Sequence, residues 1–181
     1  MLFRSNPVTK VYGYVGYNEG SQEIVISFRG SDNIANWIVD LDAVQVPFGD
    51  YPGVLVHAGF NAGYSGVQAQ VTKAVKTILS QNCPSCTNAI CTGHSLGAAL
   101  AGFCAMDMAI NMELNTSLIN FGMPRIGNEA FATLWTQHVK GVSWRFVHRH
   151  DIVPHLPLRN MGPDGDFHHV PTEVTLHNQP L

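Results

Sequence analysis

Gly93-His94-Ser95-Leu96-Gly97 stands between an apolar run, Ala89–Thr92, and a run of small residues that includes Gly97, Ala98, Ala99, Ala101 and Gly102. An apolar strand, a G-x-S-x-G turn and a helix of small residues form a succession that few folds accept. It is the setting of a nucleophile elbow, in which a serine sits on a sharp strand-to-helix turn. Glycines on both sides let neighbouring backbone close in. Small helix residues let the helix press against a sheet. The helix start aims free N–H groups at the serine. Ser95 is therefore the candidate nucleophile, and the N–H of Leu96 a candidate oxyanion donor. A glycine-rich helix start without chemistry would carry the same pattern.

The rest of the chain supplies a framework for such a turn. Val11–Tyr17 reads as an edge-like strand spaced by glycines, and Asn18–Ser21 as a turn. Ile24–Phe28 is a continuous apolar run, which suits a strand buried on both faces. Val54–His57 is a further short strand candidate. Val67, Val71, Ala74, Val75, Ile78 and Leu79 recur at helical spacing, which predicts an amphipathic helix over Gly63–Leu79. Ala89–Thr92 and Leu118–Phe121 read as strands, and Ser95–Asn111 as a helix. Asn128–His138 reads as a helix with Asn128 as its cap. Trp144–His148 and Phe167–Val174 are the last strand candidates. Strands alternating with helices argue for an α/β architecture with a largely parallel sheet. No repeat, low-complexity tract or linker divides the chain, so residues 1–181 read as a single domain.

Composition removes other classes. Ten Lys+Arg against 13 Asp+Glu leave a formal net charge of −3, without the basic excess of a nucleic-acid binder. Apolar residues make up 45%, too many for a disordered chain. No apolar run reaches the roughly 18 residues that a membrane span needs. The N-terminus, MLFRSNPVTK, has no signal-peptide stretch, so either the chain is not exported or its leader lies outside these residues. Cys83 and Cys86 form a C-x-x-C with no second pair at matching spacing, which argues against a four-cysteine zinc site. A Cys83–Cys86 disulfide fits an oxidising compartment. Cys91 and Cys104 read as core thiols.

A second oxyanion donor should come from a loop after an earlier strand. Ile24–Phe28 ends in Arg29-Gly30-Ser31-Asp32, where Ser31 offers both its N–H and its hydroxyl. R-G-S-D is also an ordinary turn. Taken with FRGSDNIANWIVDLD, the runs VHAGF, TGHSLGAALA, FGMPRIGN and HDIVPHLP follow in order. Together they resemble the class 3 lipases, the fungal triacylglycerol lipase-like family, over roughly Tyr12 to Glu173. The resemblance implies an α/β-hydrolase fold and acyl-ester hydrolysis through a serine. It places the nucleophile at Ser95, the oxyanion donors at Ser31 and Leu96, and the acidic triad member at Asp151.

Asp151 also has a case of its own. It follows the strand Trp144–His148, and it comes after the serine in the order Ser, Asp, His of α/β-hydrolases. It would hold the histidine tautomer; the alternative is a solvated aspartate or a partner of Arg149 or Arg159. The histidine itself is missing from the pattern. Members of the resembled family carry it on a loop well downstream, usually directly after an aspartate, and no Asp-His pair follows Asp151. His155 is wedged between prolines, His169 falls in a segment that precedes the family's histidine, and His177 lies in the tail. The expectation is a chain incomplete at both ends that stops short of its general base. His148, His150, Asp151, His168 and His169 offer metal-ligand types. His148 and His150, however, alternate on a strand end and would face opposite sides, so no metal site is expected.

Asn33–Leu41 places Ile34, Trp37, Ile38 and Leu41 at i, i+3, i+4 and i+7. In the resembled family this position is a lid that closes over the active site and swings away at a lipid surface. The alternative is a core-facing helix. The sequence reading is thus a cofactor-free serine esterase of lipids that works at a lipid–water interface and is secreted or lumenal in its full-length form. A phospholipase A1, a feruloyl-type esterase and a catalytically dead lipase-like module are the alternatives, because fold and triad do not set the substrate.

Overall fold

The computed structural model describes residues 1–4, 10–33, 36, 38, 41–162 and 166–176. In chain order its elements are β1 (Leu2–Arg4), β2 (Tyr12–Asn18), β3 (Glu23–Phe28), β4 (Gln45–Pro47), β5 (Leu55–His57) and α1 (Ala58–Gln81). There follow β6 (Asn88–His94), α2 (Leu96–Asn111), β7 (Asn115–Phe121), α3 (Glu129–His138), β8 (Ser143–His148) and β9 (Glu173–Leu176). Seven strands form one sheet in the order β1-β2-β3-β6-β7-β8-β9. From β3 to β9 every pairing is parallel, while β1, β2 and β3 are joined antiparallel. The α/β expectation holds: a largely parallel sheet is combined with three α-helices among the described residues.

Several local expectations need correction. The glycine-spaced strand is not at the edge, because β1 pairs outside it. A three-residue strand carries too little pattern to be read from sequence. Val54–His57 becomes β5, which lies outside the main sheet and pairs with β4, with an isolated bridge from Val56 to Gly127. The first helix starts at Ala58 rather than Gly63, because His57 caps it: its ring accepts from the Phe60 N–H at 3.4 Å. The last strand is Glu173–Leu176 and not Phe167–Val174; His168 makes only an isolated bridge to Gly127. His150 lies in a turn beyond β8, so the alternation argument against a metal does not apply to it. Among the described residues no group of three metal-ligating side chains gathers.

Burial follows the strand period. Val15, Ile24, Ile26, Ala89, Cys91 and Leu118 are buried on one face, where α2 packs across β3, β6 and β7. The opposite face carries a register row of Tyr14, Ser27, Thr92, Ile119 and Trp144. Tyr14 is 48% and Trp144 45% exposed there. Ile24–Phe28 is therefore not buried on both faces: Val25 and Ser27 are only half covered. α3 begins as expected, with Asn128 Oδ1 accepting from Phe131 N at 2.9 Å, a cap typically worth ~1 kcal/mol. The same Asn128 side chain also binds the backbone of Gly53 and Leu55, fixing α3 against β5. Cys83 and Cys86 are disulfide-bonded; Cys91 and Cys104 are buried thiols with sulfurs 3.4 Å apart.

Candidate active site

The parallel register aligns the strand ends. Phe28 pairs with Gly93, His94 with Phe121, and Phe121 with Phe146. Loops leaving the C-terminal ends of β3, β6, β7 and β8 therefore meet at one rim, where open α/β sheets bind ligands.

Ser95 occupies the tightest point of that rim. Its backbone has φ 54° and ψ −122°, a conformation few L-residues adopt and one of the strained states that cluster at functional sites. Both flanking glycines are required by contact. A Cβ on Gly93 would lie 2.3 Å from the Gly97 carbonyl oxygen, and one on Gly97 would lie 2.4 Å from that of Phe28. Ser95 N donates to Phe121 O at 3.1 Å, which ties the turn to β7. Its side chain does not cap α2. The hydroxyl is fully buried and has no hydrogen-bond partner among the described residues.

α2 begins at Leu96, whose N–H falls among the first helical groups that have no intrahelical acceptor. The loop holding Ser31 runs alongside. A Cβ on Gly30 would come within 2.8 Å of the His94 carbonyl. Ser31, the next residue, thus borders the elbow and is half-buried. Donors near both Leu96 and Ser31 suit an oxyanion, and the loss of one such donor typically costs ~3 kcal/mol of barrier.

Asp151 approaches through the β7 loop. A Cβ on Gly122 would lie 2.6 Å from Asp151 Oδ2 and 3.5 Å from His94 Nε2. Gly122 directly follows Phe121, the residue bonded to Ser95 N. The carboxylate is thereby brought to the side of the elbow. Asp151 Oδ1 accepts from Val153 N at 3.0 Å, and Asp151 N donates to His148 O at 2.8 Å. These bonds hold the loop and leave Oδ2 beside the glycine.

His169 does not bridge Ser95 and Asp151. Its Nε2 lies 2.7 Å from Pro154 O, so the ring fastens the segment that follows Asp151. Burial, reinforced by the Arg145 charge, lowers its pKa to about 3. It is a neutral structural donor, a role that its sequence setting did not reveal. His155 donates its backbone N–H to Ile152 O, and His177 lies outside the described residues.

Of the lid candidates, Ile34 and Trp37 lie outside the described residues. Asn36 and Ile38 are helical, and Asn33 Oδ1 accepts from Asn36 N at 3.1 Å. Leu41 packs against the core and, with His57, Phe60 and Leu96, lines a cavity of about 280 Å³ beside the elbow. His57 also caps α1 through its ring. Burial lowers its pKa, although the Asp42 backbone bond and charge oppose that. A larger cavity, about 820 Å³, lies by β1 and β2 around Phe3, Tyr14 and Arg29 and includes none of the site residues.

Residues 25–161 match the family model described as Lipase (class 3). The secreted mono- and diacylglycerol lipase A of Penicillium cyclopium is 34% identical over 88% of this chain and 51% of its own. A lipase of Rhizomucor miehei is 41% identical over 82% of this chain and 41% of its own. The solved Rhizomucor miehei triacylglyceride lipase superposes with a TM-score of 0.85 and 34% identity, over 97% of this chain and 64% of that one. A triacylglycerol lipase whose catalytic centre is a serine protease triad gives 0.88 and 34%, over 98% and 66%. The chain spans about half the length of the curated relatives it matches.

Proposed function

This chain belongs to the class 3 lipase family, and on that premise we propose that it supplies the nucleophile, oxyanion hole and acid of an enzyme that hydrolyses carboxylic esters of lipids. The observation that carries the reading is Ser95: a buried hydroxyl, free of hydrogen bonds to the described residues, on a strained turn at a helix start. Ser95 attacks the ester carbonyl and passes its proton to a histidine oriented by Asp151. The N–H groups of Leu96 and Ser31 hold the tetrahedral oxyanion. The alcohol leaves, water attacks the acyl-serine, and the carboxylate departs.

Residues 1–181 form part of one α/β-hydrolase domain in this reading, and Asn33–Leu41 forms a lid over the cavity beside Leu96. Acylglycerols at a lipid–water interface are the favoured substrates. The relatives from Penicillium and Fusarium that are named secreted lipases support a secreted form, as does the Cys83–Cys86 bond. No described helix is long and apolar enough to cross a membrane.

A fluorophosphonate probe applied to the native protein tests the proposal. It should label Ser95 alone, and Ser95→Ala should abolish labelling and ester hydrolysis together. Labelling that survives the substitution moves the nucleophile elsewhere. A native protein that neither labels nor cleaves any ester is a non-catalytic lipase-like module.

A further inference from the structure

A second cleft, of about 430 Å³, opens between α1, α2 and the loop that follows β4. Its lining includes Phe48, Tyr51, Tyr64, Phe103 and Asp107. Asp107 is about three turns along α2 from Ser95, so the cleft is separate from the elbow and no step of ester hydrolysis uses it.

Asp107 is unusual among the acidic residues in being only 7% exposed. Its Oδ2 accepts from the Tyr64 hydroxyl at 2.5 Å. Its Oδ1 accepts from Gln68 Nε2 at 2.9 Å and from Asn111 Nδ2 at 2.6 Å. All three donors are neutral. No Lys, Arg or His among the described residues forms an ion pair with it. Burial, with Cys104 and then Asp107 adding to it, pushes the Tyr64 pKa well above the usual tyrosine value, so this donor stays protonated.

Neutral donors disperse a carboxylate's charge but do not cancel it, and buried charge is costly without a partner of opposite sign. A carboxylate offers about four acceptor positions, and three are filled here. One acceptor position therefore remains on a carboxylate that lines the cleft and has no cationic partner among the described residues. Its wall is aromatic. Phe48 and Tyr51 stack with centroids 6.1 Å apart, and Phe48 lies 6.3 Å from Phe103. Aromatic faces attract cations, and the apolar wall accepts the carbon groups that a metal ion lacks.

We propose that this cleft binds a small organic cation of the alkylammonium class, with its nitrogen against Asp107 and its alkyl groups on Phe48 and Tyr51. A purely structural Asp107–Tyr64 network would have no preference for charge in the cleft.

Calorimetric titration of the native protein with choline and with 3,3-dimethylbutanol, its uncharged isostere, separates the two. Choline should bind roughly tenfold more tightly or better. Asp107→Asn should weaken choline by a similar factor and leave the isostere unchanged. Tyr51→Ala keeps the Asp107 network intact and should weaken choline several-fold, so the proposal stays testable if Asp107→Asn does not fold. Absence of choline binding overturns the proposal, as does equal binding of the isostere or an unchanged choline affinity in both variants. Competition by phosphatidylcholine vesicles would identify a lipid headgroup as the source of the ammonium; bound choline that resists vesicles would identify a free amine. Neither outcome depends on Ser95, so failure here leaves the ester-hydrolase reading untouched.

Discussion

Gly122 lies in direct contact with Asp151: a Cβ on the glycine would come within 2.6 Å of the carboxylate Oδ2, and its φ of +57° is one that L side chains rarely adopt. The contact joins the end of β7, whose Phe121 carbonyl receives the Ser95 N–H, to the loop that carries the acid. Both a methyl group and the backbone strain would act at this single point. Gly122→Ala should therefore displace Asp151 and lower ester turnover more than tenfold, with about 1–2 kcal/mol of stability lost. Assay and denaturant titration of the same variant check it. Wild-type turnover would show that Asp151 tolerates the shift and is not the acid.

Asp151→Asn tests the carboxylate without adding volume. The loop bonds through Val153 N and His148 O persist, so the melting temperature should hardly move. In the native enzyme turnover should fall by roughly 10⁴-fold, the scale on which loss of histidine tautomer control acts. A variant that retains more than about a tenth of the rate would place the acid elsewhere.

His169 should make the protein acid-labile. Its pKa is lowered from 6.5 to about 3 in the folded state. Between those values the unfolded chain binds the extra proton, so stability rises with pH there and is fully present above about 6.5. Lowering the pH from 7 to 5 should cost on the order of 2 kcal/mol through this residue alone. His57 contributes in the same direction. Denaturant titrations at both pH values should show the loss, and His169→Asn should reduce it. An unchanged pH dependence in that variant would show that the ring is not held neutral.

The lid proposal for Asn33–Leu41 rests on the likeness to class 3 lipases and on an amphipathic spacing, with Leu41 beside the Leu96 cavity in support. Trp37 fluorescence should shift when lipid micelles are added. Trp37→Ala should impair hydrolysis of emulsified long-chain esters more than of soluble short-chain ones. Equal losses on both would make the segment an ordinary core-facing helix.

The sequence by itself determined those parts of the protein that depend on contiguous residues. The elbow was legible because an apolar strand, two glycines and a small-residue helix need only one another, and each makes a backbone contact that a larger residue would block. The Asn128 cap was legible because capping is decided within three residues. Apolar runs located β3, β6, β7 and β8 to within a few positions and helical spacing located the body of α1, whereas the first turn of α1 and the position of β9 were not legible. What joins distant segments was decided by the tertiary structure. Whether β3 is covered on one face or two depends on which elements pack against the sheet, and its own apolar letters are the same either way. The pairing of β1 outside β2, the departure of β5 to its own small sheet, and the contact of Gly122 with Asp151 are likewise set by chain crossing. His169 and Asp107 show the same limit for chemistry. One histidine is kept neutral by burial and the Arg145 charge, and one carboxylate lies buried among neutral donors. Both environments come from elements remote in sequence, because burial and electrostatics act through space.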